Sequence, residues 1–125
     1  MKNSKDYLSE ANSVVERVTV TEGIALHKTK EALFVDVRDS AAIADSGTIS
    51  GALRIPRGFI EFAADPDSPF HNSALTKEAT IILVCGAGGQ AALAGKTLIE
   101  MGYKKIRNVG GFPDWRDAGG ETESA

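Results

Sequence analysis

The only cysteine of the chain, Cys85, stands between an apolar run and a loop of small residues, in the stretch ILVCGAGGQAALAG (82–95). Successive backbone N–H groups in such a loop can turn toward one point and bind an anion. The residues in position to do so are Gly86, Ala87, Gly88, Gly89, Gln90 and Ala91. A helix beginning near Gln90 would add its positive end. This pattern predicts a thiolate at Cys85, and therefore a nucleophile for covalent catalysis.

Two other interpretations fit the same stretch. The residues from Gly86 to Ala91 also satisfy the G-x-G-x-x-A fingerprint of dinucleotide binding. That fingerprint usually opens the first strand–helix unit, with an acidic residue about 20 positions later, whereas here the next predicted strand ends in Asn108 and Val109. Dinucleotide binding is therefore disfavoured. The remaining alternative, a buried cysteine that only fills space, stays open on these residues alone.

Composition sets the class of protein. A chain of 125 residues with 42% hydrophobic and 25% charged residues is typical of one globular domain. The net charge of -3 argues against a nucleic-acid partner, which usually meets a basic face. His27 and His71 lack the spacing of metal ligands, so no metal site is expected.

Cysteine use and hydropathy predict the compartment. One cysteine forms no internal disulfide, and the first residues, MKNSKDYLSE, are too polar for a secretory signal. No apolar run approaches the roughly 20 residues that span a bilayer. These features predict a cytoplasmic protein with no membrane partner, of unassigned oligomeric state.

Strands and helices are expected to alternate along the chain. Extended segments are predicted at 18–20, 32–37, 52–55, 80–84 and 104–109. Helices are predicted at 4–17, from a cap at Thr21 to about residue 30, at 39–45, 57–64 and 90–103, and after Pro113. The tail ETESA (121–125) is expected to fray. The corresponding division is a helical extension (1–17), a domain (18–120) and a polar tail (121–125).

This alternation predicts an α/β fold with a mostly parallel sheet and helices on both faces. Sites in such sheets form beyond the carboxyl ends of the strands. Cys85 follows the most strand-like run, TIILV (80–84), at that end.

Four stretches, in this order and spacing, carry a family resemblance. They are VDVRD (35–39), GTISGALRIP (47–56), VCGAGGQAALA (84–94) and VGGFPDW (109–115). The set resembles the rhodanese-like sulfurtransferase domains over about residues 18–118. The resemblance implies a five-stranded, mostly parallel rhodanese-like sheet. Asp36 and Arg38 are expected to pair and brace the structure, and Trp115 to pack in the core.

The resemblance also implies a reaction. The Cys85 thiolate would attack the outer sulfur of a donor such as thiosulfate, release sulfite and carry a persulfide, which a thiol or cyanide then takes. The loop residues 86–91 would bind the small anionic donor. An acceptor protein is a further expected partner, and no cofactor is needed.

The loop departs from the family pattern at two positions. Active members usually end the loop with arginine and often carry a second cation inside it, but Gln90 and Gly86 stand there. Arg54 and Arg57 are candidates to replace the missing charge. The alternative is a weak or inactive module that binds a partner or senses oxidants or sulfur. Related phosphatases and arsenate reductases place arginine six residues after cysteine, where this chain has Ala91, which disfavours phosphate chemistry.

Overall fold

The computed structural model describes all 125 residues, Met1–Ala125. Its strands are β1 (Glu16–Arg17), β2 (Leu33–Asp36), β3 (Thr48–Ile49), β4 (Leu53–Arg54), β5 (Thr80–Cys85), β6 (Lys105–Gly111) and β7 (Thr122–Glu123). Its α-helices are α1 (Ser4–Val14), α2 (Val20–Thr29), α3 (Ser40–Ser46), α4 (Ile60–Ala64), α5 (Gly89–Glu100) and α6 (Phe112–Asp117). A single 3-10 turn, Arg57–Phe59, precedes α4. None of the helices has both the length and the apolarity needed to cross a bilayer.

Five strands form one parallel sheet in the order β1-β6-β5-β2-β4. The predicted α/β fold with a mostly parallel five-stranded sheet is therefore confirmed. The strand that carries the cysteine, β5, lies at the centre of the sheet, and its carboxyl end meets the carboxyl ends of β2 and β6 at one edge. A separate antiparallel pair joins β3 to β7.

Helices cover both faces of this sheet because side chains alternate along each strand. From β5, Ile81, Leu83 and Cys85 point into a core closed by α4 and α5, while Ile82 and Val84 point into a core closed by α2 and α6. Both cores are apolar, and the second contains Trp115 with 0% of its surface exposed, as predicted. The first helix, α1, packs on α5.

The beginning of the chain differs from the prediction. The first helix ends at Val14, and the edge strand is Glu16–Arg17 rather than 18–20. The cause is a capping box, in which Thr19 Oγ1 accepts from the Glu22 N–H and the Glu22 carboxylate accepts from the Thr19 N–H. Thr19, not Thr21, therefore begins α2, and the β-branched residues after it enter the helix.

The tail is not frayed, which corrects the expectation for residues 121–125. Thr122–Glu123 pairs with Thr48–Ile49 as β7. The Glu123 carboxylate accepts from the Gly51 N–H at 2.6 Å and from the Arg54 guanidinium at 2.9 Å. Polar composition led to the wrong prediction because the partners of Glu123 lie some 70 positions earlier in the chain.

A buried ion pair holds the carboxyl end of β2. Arg38 Nη2 lies 2.7 Å from Asp36 Oδ2, and the two side chains expose 8% and 0% of their surfaces. The Thr48 hydroxyl also donates to Asp36, while Arg38 donates to the Gly47 carbonyl and stacks on the Phe112 ring. The predicted pairing of Asp36 with Arg38 is confirmed. Because every charge has a partner, the network ties β2 to the turn before β3.

Replacing Arg38 by alanine should destabilise the protein by about 3–5 kcal/mol, because the Asp36 carboxylate then stays buried without a cation. Urea unfolding followed by circular dichroism measures the change. Lys104→Ala is the matched control, since it breaks an ion pair with Glu78 in which both side chains are largely exposed. The control should cost no more than about 1 kcal/mol. Equal losses in the two variants would contradict the structural role given to Arg38.

The docking of β7 should depend on pH. The Gly51 N–H and then the Arg54 guanidinium lower the pKa of Glu123 below its usual 4.5 in the folded state. Its contribution is therefore present above that value and is lost as the pH falls through the lower, folded pKa. Glu123→Gln should be less stable than the parent at neutral pH, and the difference should shrink in acid.

The measurement is the free energy of unfolding at a series of pH values. Glu121→Gln is the control at neutral pH, since it removes an exposed carboxylate near Glu123 whose side chain makes no hydrogen bond or ion pair, and it should cost little stability there. A difference for Glu123→Gln that stays constant from neutral to acid pH would refute the assignment.

Candidate active site

Cys85 lies at the carboxyl end of β5, directly before the loop. Its sulfur accepts hydrogen bonds from two backbone N–H groups, that of Gly88 at 3.0 Å and that of Ala91 at 3.4 Å. Gly88 has φ +105°, a conformation that glycine adopts without strain, and it is the N-cap of α5. The sulfur therefore sits at the positive end of a 12-residue helix, with two donors aimed at it. This arrangement places the positive ends of two N–H dipoles and of a helix next to the sulfur.

The remaining loop residues form a rim around this pair of donors. Gly86, Ala87 and Gln90 are exposed, Gly89 is half-buried, and none of these four donates a hydrogen bond to the sulfur. Cys85 itself has only 1% of its surface exposed. The predicted loop residues thus surround the cysteine, but only Gly88 and Ala91 contact its sulfur through their N–H groups.

One residue that orients the loop was missed by the sequence analysis. The side-chain amide of Asn108, which is 0% exposed, donates to the Gly88 carbonyl at 2.9 Å and accepts from the Gly110 N–H at 2.8 Å. Asn108 therefore fixes the carbonyl of Gly88, the residue whose N–H faces the sulfur of Cys85. The available signal was a polar residue inside an otherwise apolar strand, which must find partners when buried.

The two glycines at the end of β6 leave room for the loop. A Cβ on Gly111 would overlap the carbonyl oxygen of Gly86, so the loop can lie across β6 only if residue 111 has no side chain. Gly110 has φ +95° and follows the irregular register between β5 and β6. The VGG motif thus allows the loop after Cys85 to approach closely, rather than only making a bend.

The two candidates to replace the missing loop charge have partners elsewhere. Arg54 pairs with Glu123, and Arg57 donates to Glu61 and to Thr97. Arg57 does share the wall of a 560 Å³ cavity with Gln90, but it makes no hydrogen bond to the loop. His71 Nε2 lies 3.4 Å from the Leu75 carbonyl, within its own loop.

Within the loop itself, the electrostatic contribution comes from the backbone. No charged side chain occurs between Gly86 and Ala91. The structure contains no group of three His, Cys, Asp or Glu side chains placed to hold a metal ion. The arrangement provides one nucleophilic atom with dipoles aimed at it, which suits the formation of a covalent anionic intermediate.

Comparison with known families identifies the class of protein. The family model of the rhodanese-like domain matches residues 19–118. The chain belongs to the rhodanese-like domain family, as its motifs predicted.

The relatives agree with this assignment. A sulfurtransferase of Allochromatium vinosum is 31% identical over 91 residues, which are 72% of this chain and 77% of the relative. The thiosulfate sulfurtransferase GlpE of Tolumonas auensis is 23% identical over 80% of this chain and 87% of its own. A solved Rhodopseudomonas palustris protein of unknown function, described as a possible tyrosine phosphatase, is 39% identical with a TM-score of 0.93, covering 98% of this chain and 96% of its own. At the level of the family, the two relatives named as sulfurtransferases support a rhodanese-type sulfurtransferase.

Gly111→Ala should destabilise the protein by about 1–3 kcal/mol, because the new methyl group forces the Gly86–Ala87 backbone off β6. Urea unfolding measures the loss. Gly58→Ala is the control, since nothing lies within 4 Å of a Cβ at that position. If Gly111→Ala proves as stable as the control, the close approach of the loop to β6 is not required.

Proposed function

We propose that the protein transfers sulfane sulfur through a persulfide on Cys85. The thiolate attacks the outer sulfur of a donor such as thiosulfate, a bond forms between the two sulfur atoms, and the S–S bond of the donor breaks. Sulfite leaves with the bonding electron pair, and Cys85 carries a negatively charged persulfide. An acceptor thiol or cyanide then attacks the outer sulfur of the persulfide and regenerates the thiolate.

The observation that carries this proposal is the pair of N–H groups on the Cys85 sulfur. A space-filling cysteine has no need of donors from Gly88 and Ala91, whereas a thiolate and a persulfide both do. In this proposal, Cys85 is the catalytic residue. The donor anion is bound by the loop residues, namely Gly86, Ala87, Gly88, Gly89, Gln90 and Ala91.

Access to the sulfur is part of the mechanism. Because Cys85 is 1% exposed, a donor reaches it only after the loop moves. Gly86 and Ala87 are exposed and lie outside α5, so they are the residues that can move aside without breaking the helix. The two N–H groups on the sulfur belong to the N-cap and the first turn of α5, so they can stay in place during this movement.

A second candidate function is a binding or sensing module with weak or no transferase activity. The observation favouring it is the neutral loop, since Gln90 brings no charge to a dianionic donor and a charge-assisted hydrogen bond is roughly twice as strong as a neutral one. In this case Cys85 would respond to oxidants or sulfur, or the domain would bind a protein partner. For either function we propose a cytoplasmic location. The proposed partners of the enzyme are a small donor anion, a thiol acceptor and an acceptor protein.

Phosphate ester hydrolysis is not proposed. The similar Rhodopseudomonas palustris protein is described as a possible tyrosine phosphatase, but the phosphatases related to this family carry arginine six residues after cysteine. That position is Ala91 here, and its side chain is buried.

The test is a mass spectrum of the intact protein after incubation with thiosulfate, and separately with polysulfide. We expect a mass increase of one sulfur atom, because the loop stabilises the persulfide anion, and loss of the added sulfur on exposure to cyanide. Cys85→Ser keeps the size of the side chain and should take up no sulfur.

An increase that persists in Cys85→Ser would mean that sulfur binds elsewhere. If folded parent protein gains no sulfur from either donor, the transferase is excluded and the binding or sensing module stands.

A further inference from the structure

One cation lies against the active-site loop, and the sequence analysis did not consider it. Arg17 ends the edge strand β1, and its Cα pairs in register with that of Asn108. Its guanidinium lies over two glycines, with Nη1 3.2 Å from the Cβ position of Gly88 and Nη2 2.9 Å from that of Gly110. A Cβ on Gly110 would displace the guanidinium, and one on Gly88 would crowd it. The absence of both Cβ atoms therefore gives the guanidinium its position beside the loop.

The charge of Arg17 is not neutralised within the protein. Neither the ion pairs nor the side-chain hydrogen bonds of the structure include Arg17. Its sequence neighbour Glu16 pairs with Arg107 instead. A guanidinium has five N–H donors in a fixed fork that suits oxyanions, and here all five lack a protein acceptor.

The distance is short enough to act at the sulfur. Gly88 links the two groups, since its N–H lies 3.0 Å from the Cys85 sulfur and its Cβ position lies 3.2 Å from Arg17 Nη1. With the bond lengths within Gly88, the two atoms lie no more than about 9 Å apart. An oxyanion bound at Cys85 therefore has this guanidinium on the other side of Gly88, within reach of its charge.

We propose that Arg17 is a specificity-determining residue that binds the oxyanion end of the sulfur donor and supplies the positive charge that the loop lacks. The substrate class is a sulfane-sulfur donor ending in a sulfonate group, of which thiosulfate is the simplest. During transfer the guanidinium holds the oxygens of the departing sulfite. This assignment rests on the proposed sulfur transfer for its substrate, but the effect of the charge on Cys85 can be measured without it.

The proposal explains the neutral loop without Arg54 or Arg57, both of which have carboxylate partners. Arg17 also lies just outside the segment matched by the family model, 19–118. Its position depends on how β1 joins the sheet beside β6 and on Gly88 and Gly110, the two motif glycines over which it lies.

The first experiment measures local charge independently of sulfur transfer. The rates of Cys85 alkylation by iodoacetate, an anion, and by iodoacetamide, which is neutral, are compared by mass spectrometry. Both reagents react with the same thiolate and need the same opening of the loop, so the ratio of the two rates depends on neither. Arg17→Gln should lower the ratio at least roughly threefold, as expected for a unit charge no more than about 9 Å away in a medium between water and protein.

The controls separate position from net charge. Lys105→Gln removes the same charge from the amino end of β6, at the opposite end of the strands from Cys85. It should leave the ratio unchanged. Arg17→Lys keeps the charge, so its ratio of alkylation rates should stay close to that of the parent. The double variant Arg17→Gln/Gln90→Arg returns a cation to the loop and should restore it.

The second experiment uses thiosulfate and cyanide kinetics on the same variants. Arg17→Gln should reduce kcat/KM for thiosulfate roughly tenfold, mainly through KM, and should weaken its dependence on salt. An unchanged alkylation ratio in folded Arg17→Gln would overturn the proposal, and so would a lower ratio with unchanged kcat/KM. If the parent takes up no sulfur, the proposed function fails, while the alkylation ratio still decides whether the charge of Arg17 acts at Cys85.

Discussion

The structure of the site depends on keeping two backbone N–H groups aimed at one sulfur atom at the end of a buried strand. A sulfur at that depth has little contact with water, so a charge on it must be stabilised by the protein itself. Side-chain cations do not do this within the loop, which leaves the dipoles of Gly88, Ala91 and α5. Fixed dipoles stabilise charge most effectively when nothing needs to reorganise as the charge appears. The surrounding residues can be understood as the supports that keep these dipoles in place.

Those supports come from β6 rather than from the loop. Asn108 binds the carbonyl of Gly88, and the bare backbone of Gly111 lets the carbonyl of Gly86 lie across it. The centre of the sheet and its neighbouring strand thus act together, with β5 presenting the sulfur and β6 holding the loop. This division explains why the motif ending in VGG accompanies the cysteine motif although the two lie far apart in the chain.

The sequence predicted what depends on local pattern. The apolar run TIILV predicted β5, and the small residues after Cys85 predicted the loop. The pairing of Asp36 with Arg38 was expected from the family resemblance instead. Contacts between residues far apart in the chain could not be predicted from local pattern. The hydrogen bonds of Glu123 with Gly51 and Arg54 are an example. The error in the predicted start of α2 has a local cause. The Thr19–Glu22 capping box is visible in the sequence, but the β-branched residues around it favoured a strand.

The segment before the family match contributes to both stability and the site. Through β1 it completes one edge of the sheet, and through α1 it packs on the helix whose first turn faces the sulfur. Arg17 reaches the loop because the same strand that closes the edge ends at the level of Asn108. A charge carried by an edge strand can change without altering the loop backbone, whereas a charge inside the loop must fit among the amides that hold the sulfur. Placing the cation on β1 therefore separates recognition of an anion from stabilisation of the sulfur, and it gives the neutral sequence of the loop a physical reason.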